Sequence, residues 1–343
     1  MMLPYKRLLR PLLFQVPAEP AHKISEFILK RKLIWKILSQ YYMVNHSVLN
    51  TSLSAIPLSN PIGLAAGFDK NCQYLDSMMR LGFGYVVGGT VTLNPRDGNP
   101  KPRLLRDRKN NSIINSLGFP SHGIQQVISN LEKERVSPLI LSASGFTIDE
   151  LVTCALKLEP WSDGIEINIS SPNSEGLKIF HDPHMFREML SRLNSNRKKP
   201  LFIKLPPYDN DKGQDQVLQL VNVGTSLGIE GVTIANTKPI TEPKLKMGKG
   251  GLSGKPIFND MLKMIKDVRN EVGAAIAINA CGGISSAEDA ILAIKQGATT
   301  IQIYSALIYE GPGVIKKINL GLKDYLNKNN LDSITQLANI EPI

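Results

Sequence analysis

Cysteine is scarce in this chain. Cys72, Cys154 and Cys281 make an odd number, and their spacing fits neither a metal site nor a disulfide framework. A reducing compartment and no metal centre are therefore expected. Long hydrophobic runs are missing too, since none reaches the roughly 18 to 20 residues of a spanning helix. The start lacks the sustained apolar stretch of a cleavable signal, because Lys6, Arg7 and Arg10 lead into Pro11 and a short Leu12-Leu13-Phe14. Low-complexity tracts are absent, and so is any repeat beyond an alternation of strand-like and helix-like segments. Together these absences argue against a disulfide scaffold, a disordered chain and a membrane-spanning helix.

What is present is a globular composition, 42% hydrophobic and 20% charged, in 343 residues. That length holds one large α/β domain or two ordinary ones. The net charge is +10, but residues 1–50 carry eight Lys/Arg against Glu19 and Glu26, which is +6 of it. The basicity is therefore local, and no nucleic-acid partner is expected. From Ile24 to Tyr42, apolar residues recur at helical spacing, with Lys23, Lys30, Arg31, Lys32 and Lys36 among them. Such a helix can lie in an anionic bilayer surface or serve as a small cap docked on the main domain. Composition alone favours the cap.

From residue 61 onward, short apolar runs alternate with longer amphipathic ones. Strands are expected at 61–67, 85–90, 139–144, 164–170, 201–205, 231–236, 274–280 and 299–305. Helices are expected around 72–81, 122–135, 148–158, 183–195, 214–227, 256–271, 285–296 and 312–328. Eight β–α pairs with nearly continuous apolar strands predict a parallel sheet covered on its outer side. A closed (β/α)8 TIM barrel of about 250 residues fits 61–328. The rival, a doubly wound sheet, lacks its Gly-x-Gly-x-x-Gly turn. Two connections, 91–121 and 237–255, exceed what a barrel requires, and long loops at strand C-termini are where barrels build sites and lids.

In a barrel the C-terminal strand ends converge on one cavity. Those ends carry Ala66-Gly67 with Asp69 and Lys70, Thr90, Ser142 to Gly145, Asn168 with Ser171 and Asn173, Lys204, Asn236-Thr237, Gly282-Gly283 and Tyr304-Ser305. A single polar residue at a strand end is usually a cap. Lys204, however, sits inside "LFIKLPP", where alternation points it into the barrel mouth. A buried lysine there costs several kcal/mol without an anionic partner. "ACGGISS" and "IYSAL", after strands seven and eight, occupy the place where barrels cradle a phosphate. A phosphate-bearing cofactor beside an inward lysine suggests flavin mononucleotide, FMN.

At this point "GLAAGFDKN" (63–71), "GGTVTLNPRDGNPKPRLLR" (88–106), "INSLGF" (114–119), "INISSPNSEGLK" (167–178), "IKLPP" (203–207), "IANT" (234–237), "GGLSGKPI" (250–257) and "IQIYSALIYEGP" (301–312) resemble dihydroorotate dehydrogenase, in the family's order. "LLRPLLFQVPAEPAH" (8–22) resembles its membrane-associated, quinone-using class 2. The resemblance implies oxidation of dihydroorotate to orotate in pyrimidine synthesis, with FMN as hydride acceptor and a membrane quinone as the final acceptor. Ser171 would be the general base at C5. Lys70, Asn115, Ser116, Leu117, Gly118, Phe119, Asn168, Asn173, Asn236 and Thr237 would hold the substrate. Ala66, Gly67, Phe68, Asp69, Lys70, Thr90, Asn168, Lys204, Gly254, Gly283, Tyr304 and Ser305 would hold FMN. Amide side chains suit the orotate ring and carboxylate, and a serine base needs a relay to pass its proton out.

Class 1 members are soluble and place cysteine where this chain has Ser171. Ser171 and the basic N-terminal helices agree, which implies a peripheral protein on the cytoplasmic side of the cell membrane. Residues 1–45 would form the membrane-associating, quinone-access segment and 46–343 the catalytic barrel. Two positions depart from class 2: Ala143, in "LSASGF", where a flavin-reaching asparagine is usual, and Ala235, where a threonine is usual. Ser142 or Ser144 could supply the lost hydrogen bonds. Glu166 before "INIS" looks more like class 1. Two other readings are a relative using a soluble acceptor, fumarate or NAD, and a flavin-binding membrane-docking protein without catalysis.

Overall fold

The computed structural model describes residues 5–133, 135–170 and 175–339. Three helices open the chain, α1 (Leu9–Gln15), α2 (Ala18–Leu29) and α3 (Lys32–Tyr42), followed by a hairpin, β1 (Thr51–Leu53) and β2 (Ile56–Leu58). Next come β3 (Ile62–Leu64), α4 (Leu75–Met79), β4 (Tyr85–Thr92), β5 (Leu104–Asp107), β6 (Ser112–Asn115), α5 (Gly123–Leu131), β7 (Leu139–Ser144), α6 (Ile148–Leu158) and β8 (Gly164–Asn168). The chain continues through α7 (Pro183–Asn194), β9 (Leu201–Lys204), α8 (Asp211–Ser226), β10 (Gly231–Ile234), β11 (Lys238–Thr241), β12 (Lys249–Gly254) and α9 (Phe258–Val272). It ends with β13 (Ala277–Cys281), α10 (Ala287–Lys295), β14 (Thr300–Ile303), α11 (Ser305–Glu310) and α12 (Val314–Lys328).

Strands β3, β4, β7, β8, β9, β10, β13 and β14 close into a parallel barrel, so the expected (β/α)8 architecture is present. Each expected strand and helix overlaps an observed one. The strands are apolar along their length because both faces are covered: every residue of β4, β7, β8, β9, β10 and β14 is buried. The ring closes where β14 pairs with β3, Gln302 opposite Gly63 and Ile303 opposite Leu64. Side-chain caps start several outer helices: Thr147 accepts from Glu150 N, Asp182 from His184 N, Asn210 from Gly213 N and Ser286 from Asp289 N. The β1–β2 hairpin covers the barrel's floor, where Leu53, Ile56 and Leu58 pack with Tyr85, Val87, Ile140 and Phe202.

Two expectations need correction. The helical period running from Ile24 to Tyr42 belongs to two helices that break at Lys30 and Arg31. Lys30 sits at the C-terminal cap of α2, where a cation suits the helix dipole, and Trp35 Nε1 donates to the Ile28 carbonyl at 3.1 Å to hold the corner. The long connections 91–121 and 237–255 are also more than loops. They fold into one four-stranded antiparallel sheet, β11-β12-β6-β5, across the strand C-termini. Its central pairing sets Gly251 opposite Asn115 and Leu252 opposite Ile114, a contact between segments more than 130 residues apart.

The barrel's base depends on a close approach at Gly84, where an added Cβ would lie 2.0 Å from the Asn60 carbonyl oxygen. Asn60 in turn accepts from Ile62 N and donates to the Gly82 carbonyl, so it has no room to withdraw. Gly84→Ala is therefore expected to lower unfolding stability by about 3 kcal/mol in urea titration. A wild-type midpoint would refute this packing.

Candidate active site

The sequence puts a polar residue at nearly every strand end, and closure brings those ends together under the four-stranded sheet. They line an open-mouthed cavity of about 1080 Å³. Ala66, Gly67, Lys70, Thr90, Asn115, Leu117, Gly118 and Phe119 are on its wall. So are Asn168, Lys204, Asn236, Thr237, Gly254, Gly283, Tyr304 and Ser305.

Three of these side chains, Thr90, Asn168 and Asn236, are tied together with that of Ser170. Asn168 Nδ2 donates to Thr90 Oγ1 at 3.1 Å, while Asn168 Oδ1 accepts from Asn236 Nδ2 at 3.4 Å and from Ser170 Oγ at 3.1 Å. Asn236 Nδ2 also reaches Ser170 Oγ at 3.0 Å, and its Oδ1 accepts from Thr237 N at 2.8 Å. This web fixes the amides that face the cavity. Ser171 and Asn173, which follow Ser170 directly, lie outside the described residues.

Two lysines supply the positive charge. Lys204 is buried, and its ammonium makes no hydrogen bond or ion pair with the described residues. Lys70 Nζ donates to the Gly67 carbonyl at 2.6 Å, and burial lowers its pKa to about 8. Burial pushes the Cys281 thiol on the same wall up, with Lys204 lowering it and Glu166 raising it.

Three of the expected residues sit elsewhere. Asp69 is buried behind the cavity, accepting from Gln73 N at 2.9 Å and Tyr74 N at 2.7 Å, and burial raises its carboxyl to about 6. Ser116 is buried and accepts from Asn99 Nδ2 at 3.3 Å. Phe68 turns away into a second cavity, its ring 5.2 Å from that of Tyr304. Ala143 also needs correction. It faces outward into the apolar core, and the inward side chain of β7 is Ser142, which lies 3.0 Å from Thr90 Oγ1. Strand alternation is the reason: 142 and 144 share one face and 143 the other. Ser144 donates to the Asn168 carbonyl at 2.9 Å. Ala235 lines the cavity with only its methyl group.

Sequence reasoning missed Ser253, Cys281 and Gln302, all on the wall. Gln302 carried a signal, since it is a polar residue at the inward register of an apolar strand. Neither atom of its buried amide has a hydrogen-bond partner within 3.5 Å among the described residues, although the amide lies close enough to the Tyr85 hydroxyl to lower its pKa.

FMN fits these features. An unpaired buried cation and an under-satisfied amide are what an electron-rich polar ring would satisfy. The glycine-bearing end is built for close approach: Gly283 has φ +74, and a Cβ there would lie 2.8 Å from Phe258 Cβ.

Beside this cavity, and sharing Leu104, Ile113 and Tyr304 with it, lies an apolar cavity of about 1390 Å³. Its other wall comes from α1–α3, through residues such as Leu13, Phe14, Ala21, Ile28, Trp35 and Leu38. The helices are fastened to the barrel by polar contacts at the rim. Tyr5 Oη donates to the Ile308 carbonyl at 2.8 Å, Arg10 to that of Tyr309 at 2.9 Å, and Arg106 to those of Leu13 and Val16. Their outer faces stay apolar. Of fourteen large hydrophobic side chains exposed among the described residues, eleven lie between Leu8 and Met43. Among the described residues no helix is long and apolar enough to cross a membrane.

Comparison with known proteins agrees with this architecture. A sequence model of the family "Dihydroorotate dehydrogenase" matches residues 48–326. The "Dihydroorotate dehydrogenase (quinone)" of Novosphingobium aromaticivorans is 34% identical over 359 residues, covering 99% of this chain and 100% of that one. The protein of the same name from Nitratiruptor sp. is 34% identical over 356 residues, covering 97% and 98%. Among solved structures, the DHODH of Eimeria tenella in complex with ferulenol superposes with a TM-score of 0.82 at 26% identity, covering 95% of this chain and 97% of that one. With the barrel, the cavity at its strand ends and matches along nearly its whole length, this chain belongs to the dihydroorotate dehydrogenase family.

Proposed function

We propose that the protein oxidises dihydroorotate to orotate in pyrimidine biosynthesis, with FMN in the cavity at the strand ends and a membrane quinone as final electron acceptor. The observation that carries this reading is the pair of adjoining cavities, one polar and cationic, the other apolar, with Tyr304 in the wall of both. Bound there, FMN would supply a hydride acceptor for C6 of dihydroorotate and a store for the electron pair on its way to the quinone.

The chain's own residues do the rest. Lys204 supplies a cation against the electron-rich ring, and Gly254, Gly283, Tyr304 and Ser305 leave room for backbone contacts to the phosphate. Ala66, Gly67 and Thr90 complete the flavin's surroundings. Phe68 and Asp69 support that wall from behind. Lys70 offsets the substrate's carboxylate. Asn115, Asn168, Asn173, Asn236 and Thr237 hold the pyrimidine, with Ser116, Leu117, Gly118 and Phe119 in the segment that covers it. Ser171 takes the C5 proton. Its neighbour Ser170 is held by Asn168 and Asn236.

Residues 1–45 serve as the membrane-docking and quinone-access segment, and 46–343 as the catalytic barrel. Exposed Phe27, Leu33, Ile34 and Ile37 beside Lys30, Arg31, Lys32 and Lys36 suit a helix pair lying in an anionic leaflet, on the cytoplasmic side. A soluble acceptor such as fumarate or NAD is disfavoured, because the second cavity is walled chiefly by apolar side chains. An inactive flavin carrier is disfavoured by Lys70, Asn115, Lys204 and Asn236 meeting on one wall.

The deciding experiment is anaerobic mixing of the purified protein with dihydroorotate while flavin absorbance is followed. Bleaching is expected, slowed by roughly 100-fold or more in Ser171→Ala, whereas no bleaching in the wild type would sink the assignment. Filling the apolar cavity with Ala21→Trp is expected to raise the KM for a quinone analogue about tenfold, equivalent to roughly 1.4 kcal/mol, and to leave anaerobic bleaching unchanged. Equal loss of both activities would argue for a purely structural cap.

Lys70 adds a pH test. Its pKa in the ligand-free protein is about 8, below the ordinary 10.5. A bound carboxylate favours the ammonium and raises the pKa again. Orotate binding near pH 9 should therefore take up protons, and binding near pH 6 should take up none at this group. Calorimetry in two buffers of different ionisation heat measures this uptake, which Lys70→Met should abolish.

A further inference from the structure

Glu166 lies in the middle of β8, inside the barrel and beneath the cavity, and is 1% exposed. Both of its carboxyl oxygens accept from hydroxyl donors, one on each side. Oε1 accepts from Ser142 Oγ at 3.0 Å. Ser142 has then spent its one proton, and Thr90 Oγ1, 3.0 Å away, must donate to it. Thr90 in turn can only accept from its other neighbour, which fixes Asn168 with Nδ2 toward Thr90 and Oδ1 toward Ser170 and Asn236.

The opposite arm obeys the same rule. Oε2 accepts from Thr233 Oγ1 at 2.8 Å, and Thr233 accepts from Asn279 Nδ2 at 3.4 Å. Asn279 Oδ1 accepts from Thr300 Oγ1 at 2.6 Å, so Tyr85 Oη, 2.8 Å away, donates to Thr300. Every proton in both arms points at Glu166. Such alignment is what a buried pair of acceptor oxygens needs to offset its lost hydration.

We infer that Glu166 is a positioning residue: its carboxylate sets the direction of the chain ending at Thr90, Asn168 and Asn236, and so decides which of their atoms face the cavity. A neutral glutamine brings N–H donors of its own. Donation to Ser142 frees the Ser142 proton for Thr90, and the Thr90 proton then turns toward the cavity where a lone pair had been. That this alters flavin and substrate binding rests on the function proposed above. The direction of the chain does not.

The test has two arms. In the first, the holoprotein is titrated with orotate and the shift of the flavin absorption band gives the dissociation constant. Glu166→Gln is expected to weaken orotate about fivefold in the wild-type background. In a Ser142→Ala background, where the arm is already cut, it should have no further effect. A merely structural Glu166 would lower stability and leave the orotate constant alone, and that result, or equal weakening in both backgrounds, overturns the inference.

The second arm needs no ligand. The urea unfolding constants of wild type, Glu166→Gln, Thr90→Val and the double variant form a cycle between residues that do not touch and whose side chains are bridged by Ser142. Coupling of about fivefold is expected, and additivity overturns the inference. Should the wild type carry no flavin or show no response to orotate, the proposed function fails while this second arm still decides the role of Glu166. If Glu166→Gln does not fold, Ser142→Ala carries the test alone, since it cuts the arm without touching the cavity wall. A wild-type orotate constant in that variant overturns the inference.

Discussion

Closure of the parallel barrel is the constraint on which everything else depends. The bonds between β14 and β3 join residues near 302 to residues near 63. Because all eight strands run the same way, closure sends every strand's C-terminal end to one face. Lys70, Asn168, Lys204 and Asn236 come from four separate β–α units, yet they share one cavity. An open sheet built from the same units would spread them along an edge.

The second consequence of closure is a division of labour between two neighbouring spaces. The barrel's mouth is polar because strand-end amides and lysines project into it. The space beside it is apolar because its far wall is made of amphipathic helices whose inner faces are Leu, Ile, Phe and Trp. Tyr304 stands between the two, hydrogen-bonded to the Gly67 carbonyl at 3.3 Å, and burial raises its phenol to about 12. It therefore stays neutral, so the partition adds no charge to the apolar side. The four-stranded sheet closes the top of the polar space and contributes Asn115, Ser253 and Gly254 to its wall.

Beneath the cavity, the barrel interior is neither empty nor wholly apolar. Glu166, Thr233, Asn279, Thr300 and Tyr85 fill it with a polar ladder whose hydrogen bonds are mutually consistent. A half-satisfied ladder would cost more than a hydrocarbon core. Its persistence under the site is why its upper end, at Thr90 and Asn168, bears on function.

The amino-acid order by itself determined the eight β–α units, the inward lysine at 204 and the glycine-bearing ends after the last two strands. Those features are written in local periodicity and in residue chemistry, which need no distant partner. It also carried the motifs that mark the family. Other features were decided only in three dimensions. The antiparallel sheet over the mouth pairs segments more than 130 residues apart, and no local pattern announces such a pairing. The corner at Lys30 and Arg31 interrupts a helical period that reads as unbroken. Strand phase turned Ser142 inward and Ala143 outward, a choice that slips with a one-residue shift of register. Phe68 and Asp69 lie in a motif that reads as one binding loop, yet packing sends one to the apolar cavity and buries the other behind the wall. Local sequence sets what each side chain can do, but contacts between distant segments set where it points, because the free energy of burial is shared among residues that the chain itself does not place side by side.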